Sequence, residues 1–459
     1  MNVRLRYPTF LAILVLTGCS MAPRYTAPAP PVPATFPSAP AGAGTAAAET
    51  GWKDFYTDPR LQKVLELALA NNRDLRIAAL NTQKAGAYYR IQRAALLPTV
   101  NAAATYYRGS VVATELGVPP GIGATVGISA WEVDFFGRLT SLKEEALQNY
   151  LGTEEAQRAA QVSLLAQVAN GYLVLAGDQE SLGLAQDTVD SQYSSHDLIQ
   201  RSFLVGSGSE IDVRRAQVSL ENARVDLANY TRMVALDRST LDLLVGASVP
   251  AELLPESLSS LSPLRADFAV GTPSEVLLRR PDILMAEDQL KAANADIGAA
   301  RAALFPSITL TTTAGTYGSS LDAMFKPGSD YWLVYPQLNF PIFDWGARRA
   351  NLKVSETQRE IYVAQYEKAI QTAFKEVRDA LVQRDTLHQQ EVAQAALAEA
   401  TEATYRLAQA RFQVGMDSSL SVLDAQRTSN AARLGLIALR QVEAGNLVTL
   451  YKALGGGVR

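Results

Sequence analysis

The chain is poor in the side chains with which enzymes make and break bonds. Its 459 residues include one cysteine, Cys19, and two histidines, His196 and His388, too few for a disulfide framework or a Cys/His metal site. Neither a phosphate-binding glycine loop nor a nucleophile paired with a base is present. The histidines stand alone in stretches that read as helix, where surface or packing positions suit them better than metal ligation. The charged groups that do gather are carboxylates and guanidiniums. Glu210, Asp212, Asp417 and Asp424 follow closely on two glycines, Gly206 and Gly415, with Arg201, Arg214, Arg215 and Arg411 near them. Such groups hold water and cations and pair with one another. The chain therefore reads as something other than an enzyme, with no metal or cofactor site, and any energy must come from partners. A formal charge of -4 with 48% apolar residues allows more than one ordinary core and gives no footprint for nucleic acid.

The elements that position those groups are long. From Gly121 to Val249, and again from Ile342 onward, the chain lacks proline, and residues such as Leu139, Leu142, Ala146, Tyr150, Leu164, Leu165, Val168, Tyr172 and Leu175 recur at spacings of three and four, the helical period. A helix from about Leu139 to Val205 would run on the order of 100 Å at about 1.5 Å per residue, which implies a coiled-coil-like rod. Gly206 and Gly415 can each end such a helix in the left-handed conformation, and Ser209 and Ser418 can cap the next one. Ser209 followed by Asp212 also fits a capping box, so Asp212 has a purely structural reading as well. Pro281-Asp282 reads as a helix start and Lys143-Glu144-Glu145 as a solvated helix face. The abundance of Ala, Gln, Ser and Thr fits helices that meet neighbours on two sides and water on a third.

The pattern occurs twice, with the halves aligning at an offset of 208 to 209 residues. Arg93-Ala94-Ala95-Leu96-Leu97-Pro98 matches Arg301-Ala302-Ala303-Leu304-Phe305-Pro306, Gly137 matches Gly346, and Phe203-Leu204-Val205-Gly206 matches Phe412-Gln413-Val414-Gly415. Each half opens with an Ala-rich helical stretch, residues 74–96 or 282–304, that stops at a proline. A strand pair follows, at about 98–134 and 306–343. Ile122, Ala124, Val126, Ile128 and Ala130 alternate with Gly123, Thr125, Gly127 and Ser129, as in a strand with one apolar face. Ile308 and Leu310 alternate with Ser307, Thr309 and Thr311, and Trp332, Val334, Leu338 and Phe340 with Tyr335, Gln337 and Asn339. Tyr106, Tyr107, Trp131, Tyr317, Tyr331 and Trp332 fall near strand ends, where aromatic side chains suit a membrane interface. Four strands of roughly ten residues are long enough to cross an outer membrane but too few to close a barrel, which begins at about eight. Lipid does not tolerate open edges, so other copies must complete the cylinder. Two copies would give a barrel filled by side chains, and three a twelve-stranded one with a wider lumen.

At the start of the chain, Arg4 and Arg6 precede a short apolar run from Phe10 to Leu16, an export-signal pattern too short to span a bilayer as a stable helix. Leu16-Thr17-Gly18-Cys19 resembles the lipobox of bacterial lipoproteins, which makes Cys19 the expected site of an N-terminal lipid. Ser20 in the following position implies delivery to the outer membrane. Residues 22–50 contain seven prolines among small residues, an extended tether.

Together these features resemble the TolC superfamily, in particular the OprM-like outer-membrane factors of resistance-nodulation-division efflux pumps. The likeness is carried by the lipobox, Trp52-Lys53-Asp54-Phe55, Asn72-Arg73-Asp74-Leu75, Arg279-Arg280-Pro281-Asp282-Ile283, Phe343-Asp344-Trp345-Gly346 and the closing Leu450-Tyr451-Lys452-Ala453-Leu454-Gly455-Gly456-Gly457, in that order over almost the full length. It implies an α+β membrane protein in which a long-helix α-barrel continues a trimeric twelve-stranded transmembrane β-barrel, with four strands per protomer and an internal duplication. The corresponding division is a signal peptide (1–18), a lipidated tether (19–50), a first repeat (51–246, long helices from 139), an equatorial linker (247–271) and a second repeat (272–459, long helices 346–454). The implied role is a passive exit duct for drugs or other small molecules. Its partners would be two further copies, a periplasmic adaptor, an inner-membrane resistance-nodulation-division transporter and outer-membrane lipid. Phe203, Gly206, Ser209, Phe412, Gly415 and Ser418 would lie nearest the adaptor, while Glu210, Asp212, Asp417 and Asp424 would ring the periplasmic gate. Ser421 stands where one family member has the first of two aspartates, and only Asp424 matches the second. Ducts for type I protein secretion or heavy-metal efflux share the expected architecture. A trimeric autotransporter adhesin also contributes four strands per protomer, but places them together at the C-terminus.

Overall fold

A computed structural model describes residues 20–33, 47–108, 120–266 and 277–457. Cys19 lies outside the described residues. The principal elements are α1 (Trp52–Phe55), α2 (Pro59–Asn71), α3 (Arg73–Ala94), β1 (Val100–Tyr107), β2 (Gly121–Val133), α4 (Arg138–Leu204), α5 (Glu210–Val245), α6 (Pro281–Ala302), β3 (Ser307–Gly318), β4 (Asp330–Asn339), α7 (Ala347–Gln413) and α8 (Ser419–Ala453). Helix, strand, strand, long helix and shorter helix follow one another in this order twice, and both long helices, α4 and α7, have 67 residues. Helices α3 and α6 stop at Ala94 and Ala302, two residues before the expected ends at 96 and 304. Tight turns replace the last helical residues, with Leu97 N donating to Ala94 O at 2.9 Å and Phe305 N to Ala302 O at 3.0 Å. A following proline pushes the residue before it out of helical geometry.

The chain divides into two units, one comprising Met1–Pro28, Thr82–Thr153 and Ala286–Tyr366, the other Ala29–Asn81, Glu154–Met285 and Glu367–Arg459. The first holds the whole sheet. Its helical core is built on α6, where Leu290, Ala292, Ala293, Ala295, Ile297, Ala299 and Ala302 are all buried. Small side chains there let other backbones come close. Residues 20–28 lie along this helix: Asn294 donates from Nδ2 to Pro23 O at 2.7 Å, and the Tyr25 hydroxyl contacts Glu287 at 3.1 Å. Gly298 leaves room for Ala22, whose Cβ would stand 2.8 Å from a Cβ added at that glycine.

Lys143-Glu144-Glu145 departs from the expected solvated face, since all three residues are half-buried. The neighbouring helices, not the local sequence, decide this. Burial, with a smaller contribution from the Asp296 carboxylate, pushes the Glu145 carboxyl up to about 7.

In the second unit, α2 begins at a capped proline. The Asp58 carboxylate accepts from Arg60 N at 2.9 Å and Leu61 N at 3.0 Å, and Leu61, Val64, Leu65 and Ala68 then bury one helical stripe. Phe55 stacks on Tyr451 with ring centroids 3.9 Å apart, and the Tyr451 hydroxyl donates to Thr50 O at 2.7 Å. Pro281-Asp282 does open α6, as its sequence suggests, and the preceding Arg280 has a further role. Its buried guanidinium donates to both Asp282 oxygens at 3.0 and 2.8 Å, to Glu376 at 2.9 Å and to Ala453 O at 3.0 Å. One side chain thus ties together the start of α6, helix α7 and the end of α8. Amides link the long helices: Gln192 on α4 donates to Gln426 on α8 at 2.9 Å, Gln426 to Ser191 at 3.0 Å, and Asn446 to Ala380 O at 3.0 Å. These pairs fix how one helix slides along another, since a shift would leave buried amides unmatched. Asp178 on α4 is buried beside Asp237 on α5; burial first, and then the neighbouring carboxylate, raise its carboxyl above the ordinary range.

Glu145 gives a pH test. A folded-state value above the ordinary one means that its contribution to stability is whole below the ordinary carboxylate range and is lost as pH rises through about 7. Glu145→Gln removes the charge without changing shape, so its thermal midpoint in detergent should exceed that of the parent by a few degrees at about pH 8 and coincide with it at about pH 4. A lower midpoint at the higher pH would mean that the ionised carboxylate is stabilised by a partner.

Candidate functional site: a two-faced sheet and two acid-bearing helix turns

The sheet has the order β1-β2-β3-β4 and is antiparallel throughout. Its register aligns the alternating patterns of all four strands. Val100, Ala102, Ala104 and Tyr106 of β1 oppose Ile128, Val126, Ala124 and Ile122 of β2. On the same face β3 contributes Ile308, Leu310, Thr312 and Ala314, opposite Leu338, Pro336, Val334 and Trp332 of β4. The other face carries Asn101, Thr105, Thr125, Thr309, Thr311, Thr313, Gln337 and Asn339. One side is thus largely apolar and suited to lipid, with Thr312 within it and the Thr316–Asp330 pair at one end, and the other is polar and suited to water.

One expectation is corrected here. Alternation assigned Ala130 to the apolar face, but the register shifts between Ile128 and Trp131. Ala130 takes a φ of 47°, and its N–H donates to Thr311 Oγ1 at 3.1 Å. This is a β-bulge, in which one extra residue is absorbed. Beyond it Trp131 and Val133 occupy the apolar face, and Glu132 joins Thr309 on the polar one. There the Glu132 carboxylate accepts both forks of Arg138, at 2.8 and 2.6 Å.

Among the described residues β1 pairs only with β2 and β4 only with β3. The sheet therefore has two open edges, one with the backbone of Val100–Tyr107 and the other with that of Asp330–Asn339.

The helix turns match their sequence signals in detail. Gly206 and Gly415 have φ of 80° and 77°. Gly206 N donates to Phe203 O at 2.9 Å and Ser207 N to Ser202 O at 3.0 Å, while Gly415 N donates to Phe412 O and Met416 N to Arg411 O, both at 2.9 Å. Each is the Schellman arrangement that ends a helix. Ser209 then accepts from Asp212 N at 3.3 Å and Ser418 from Ser421 N at 3.4 Å. Phe203, Gly206, Ser209, Gly415 and Ser418 are exposed, and Phe412 is half-buried.

Every acid at these turns has an arginine close by in sequence. Arg411 grips Asp417 at 2.8 and 3.1 Å and holds its carboxyl below the usual range. Glu210 meets Arg214 at 3.4 Å and Asp212 meets Arg215 at 3.9 Å. Asp212 also accepts from the Ser209 hydroxyl at 2.5 Å, so Ser209 caps α5 through Asp212 N while the Asp212 carboxylate meets the serine hydroxyl and not the backbone N–H that a full capping box would use. Asp424 pairs with Arg427 at 2.7 Å, a partner missing from the expected set although its three-residue helical spacing signals it. Arg201 turns instead to Asp197, at 2.7 Å on its own helix. Ile211, Arg214, Arg215 and Val218 of α5 face Leu420, Leu423, Asp424 and Arg427 of α8 across a groove of about 380 Å³. The Asp424 side chain, 62% exposed, thus shares this groove with three arginines.

A lipid-suited sheet with a polar reverse, joined in sequence to long helices with charged turns, defines a channel-forming membrane protein. The chain belongs to the Outer membrane efflux protein family, which it matches over residues 64–247 and 272–456. It is 46% identical over 453 residues to the antibiotic efflux pump outer membrane protein ArpC of Pseudomonas putida, covering 96% of this chain and 93% of that one. The toluene efflux pump outer membrane protein TtgC, also of Pseudomonas putida, is likewise 46% identical over 453 residues, with the same 96% and 93% coverage. In structure the chain is similar to the open state of the Neisseria gonorrhoeae MtrE outer membrane channel, with a TM-score of 0.89 and 36% identity over 96% of this chain and 99% of that one. It is an outer-membrane duct for efflux and not an enzyme.

The two faces should respond differently to charge. Val126→Lys, in the middle of the apolar face, should lower stability by about 2–4 kcal/mol, whereas Thr125→Lys on the polar face should cost well under about 1 kcal/mol. Urea unfolding in lipid vesicles, followed by tryptophan emission, measures both; equal losses would reverse or abolish the assignment of faces.

Proposed function

We propose that three copies of the chain close one twelve-stranded cylinder, and that this trimer is the exit duct of a tripartite pump for small lipophilic compounds. The open-edged, one-side-apolar sheet carries the reading. Its edge N–H and C=O groups would be unsatisfied in hydrocarbon, at several kcal/mol each, unless neighbouring protomers pair with them. Relatives named for antibiotic and toluene efflux support the cargo class. Cys19 would carry the lipid that tethers the chain to the outer membrane, with the helices reaching into the periplasm. Phe203, Gly206, Ser209, Phe412, Gly415 and Ser418 would meet a periplasmic adaptor, itself bound to an inner-membrane resistance-nodulation-division transporter.

In this reading Asp424, Asp417, Asp212 and Glu210 form the gate region, with Asp424 the principal latch. Exposed ion pairs are worth about 0–1 kcal/mol each, so the pairs at the turns can exchange partners at little cost. Carboxylates brought toward a common axis would repel one another, and their arginines offset that repulsion when the entrance is shut.

Deleting the gene should sensitise cells to chemically dissimilar lipophilic drugs and detergents. Sensitivity to a single metal would point instead to heavy-metal efflux, and loss of one secreted polypeptide to type I secretion. Asp424→Ala should raise the ion conductance of the protein in planar bilayers, and unchanged conductance would remove Asp424 from the latch.

A further inference from the structure

The two halves of the chain are not equally covered. Helix α6 is buried along much of its length, with Ala299 only 6% exposed, whereas α3, its counterpart in the first half, has no buried residue. Tyr88 is 59% exposed, and Ile91, which matches Ala299 at the offset of 208, is 61% exposed. The cause is what lies alongside. Each of these helices packs on the long helix of its own half. In the first half Tyr89 stacks on Tyr150 with ring centroids 6.4 Å apart, and Thr82 Oγ1 donates to Thr153 O at 3.0 Å; in the second, Arg301 meets Glu356 at 3.7 Å. Helix α6 has a further neighbour, the long helix α4 of the other half. A Cβ added at Gly298 would stand 2.7 Å from Ser141 Oγ, and the Asp296 carboxylate lies close enough to Glu145 to act on its charge. Helices α3, α4, α6 and α7 thus stand in a row, and the sides left over are those of α3 and α7.

The repeat says what belongs on those sides. The step from α6 back to α3 is 208 residues and that from α4 forward to α7 is 209, so the contact of α6 with α4 has an image in which α3 meets α7. Gly298 against Ser141 becomes Arg90 against Ala350, and Asp296 beside Glu145 becomes Tyr88 beside Val354. Within one copy all four of these residues are exposed, Val354 to 66%, so the image is not made inside the chain and needs a second copy to supply it. Both exchanges are complementary. Arginine brings the Cβ that glycine lacks, and alanine gives up the Oγ that would meet it. Two acids give way to a tyrosine ring and a valine, which bury apolar surface together. The strand edges agree, because β1 follows α3 and β4 precedes α7, and these are the two strands with unpaired backbone.

We propose that α3 of one copy packs against α7 of the next, with Arg90 beside Ala350 and Tyr88 against Val354, so that copies join through an apolar pair where the two halves of one chain join through an acid pair. This rests on the reading of three copies sharing one cylinder. Because the two flanks are different surfaces, the contact is head-to-tail and excludes a two-fold pair.

A disulfide across the seam tests it in the full chain, in detergent. The within-chain contact brings position 298 and the Ser141 side chain within the reach that a disulfide needs. Arg90→Cys combined with Ala350→Cys should therefore convert most of the protein, on mild oxidation, into linked species of two and three copies that revert on reduction, and either substitution alone should give none. A bridge formed inside one chain, or no bridge while the native mass still corresponds to three copies, would overturn the seam and leave the trimer standing. A native mass of one or two copies for the parent protein would instead end the trimer reading. Should the cysteine pair not fold, a double-mutant cycle at the other contact decides: Val354→Glu should lower the temperature at which the copies separate, and adding Tyr88→Lys should restore at least half of the loss beyond its own effect. Additive effects would place the two residues apart and overturn the seam.

Discussion

A polypeptide in hydrocarbon must satisfy every backbone N–H and C=O from within protein. This requirement shapes the chain more than any side chain does. The four strands satisfy one another across three interfaces and leave the outer backbones of β1 and β4 open. Neither helices nor loops are offered to those edges by pairing among the described residues. In the proposed trimer, association in a ring closes these free edges and leaves a lumen on the polar side.

Much of this was legible in the order of residues because it depends on local rules. Helices α4 and α7 end where Gly206 and Gly415 permit a left-handed residue, and new helices begin where Ser209 and Ser418 can accept a backbone N–H. The alternating strands were readable up to Ile128 for the same reason. The missing parts belong to longer-range physics. Glu145 looks like a surface acid beside Lys143 and Glu144, and only packing of the helices half-buries it. Asp178 and Asp237 are far apart in sequence and meet only because α4 and α5 run side by side. Arg280 reaches Glu376 and Ala453 across the fold, and no spacing in its own neighbourhood foretells that. Arg427 is different, since its position three residues after Asp424 was there to be read.

The charged groups divide by environment. At the helix turns the pairs are exposed and made within one hairpin, so each is weak and replaceable. Arg280 is buried and satisfied by several acceptors at once, an arrangement that would be costly to break because it would leave buried charge without partners. The same two residue types thus supply adjustable contacts at the turns and a fixed knot near the chain's end. In the proposed gate, that difference lets the turns rearrange while the wall stays intact.

The extra residue at Ala130 has a wider consequence. Because side chains on a strand alternate strictly, an inserted residue exchanges odd for even from that point onward. It brings Trp131 to the oily side and carries the Glu132 carboxylate to the side where Arg138 waits. A strand without the bulge would have the opposite parity, with a negative charge turned toward lipid. The stretch between Ile128 and Trp131 therefore keeps Glu132 on its side of the sheet only if its length changes in steps of two.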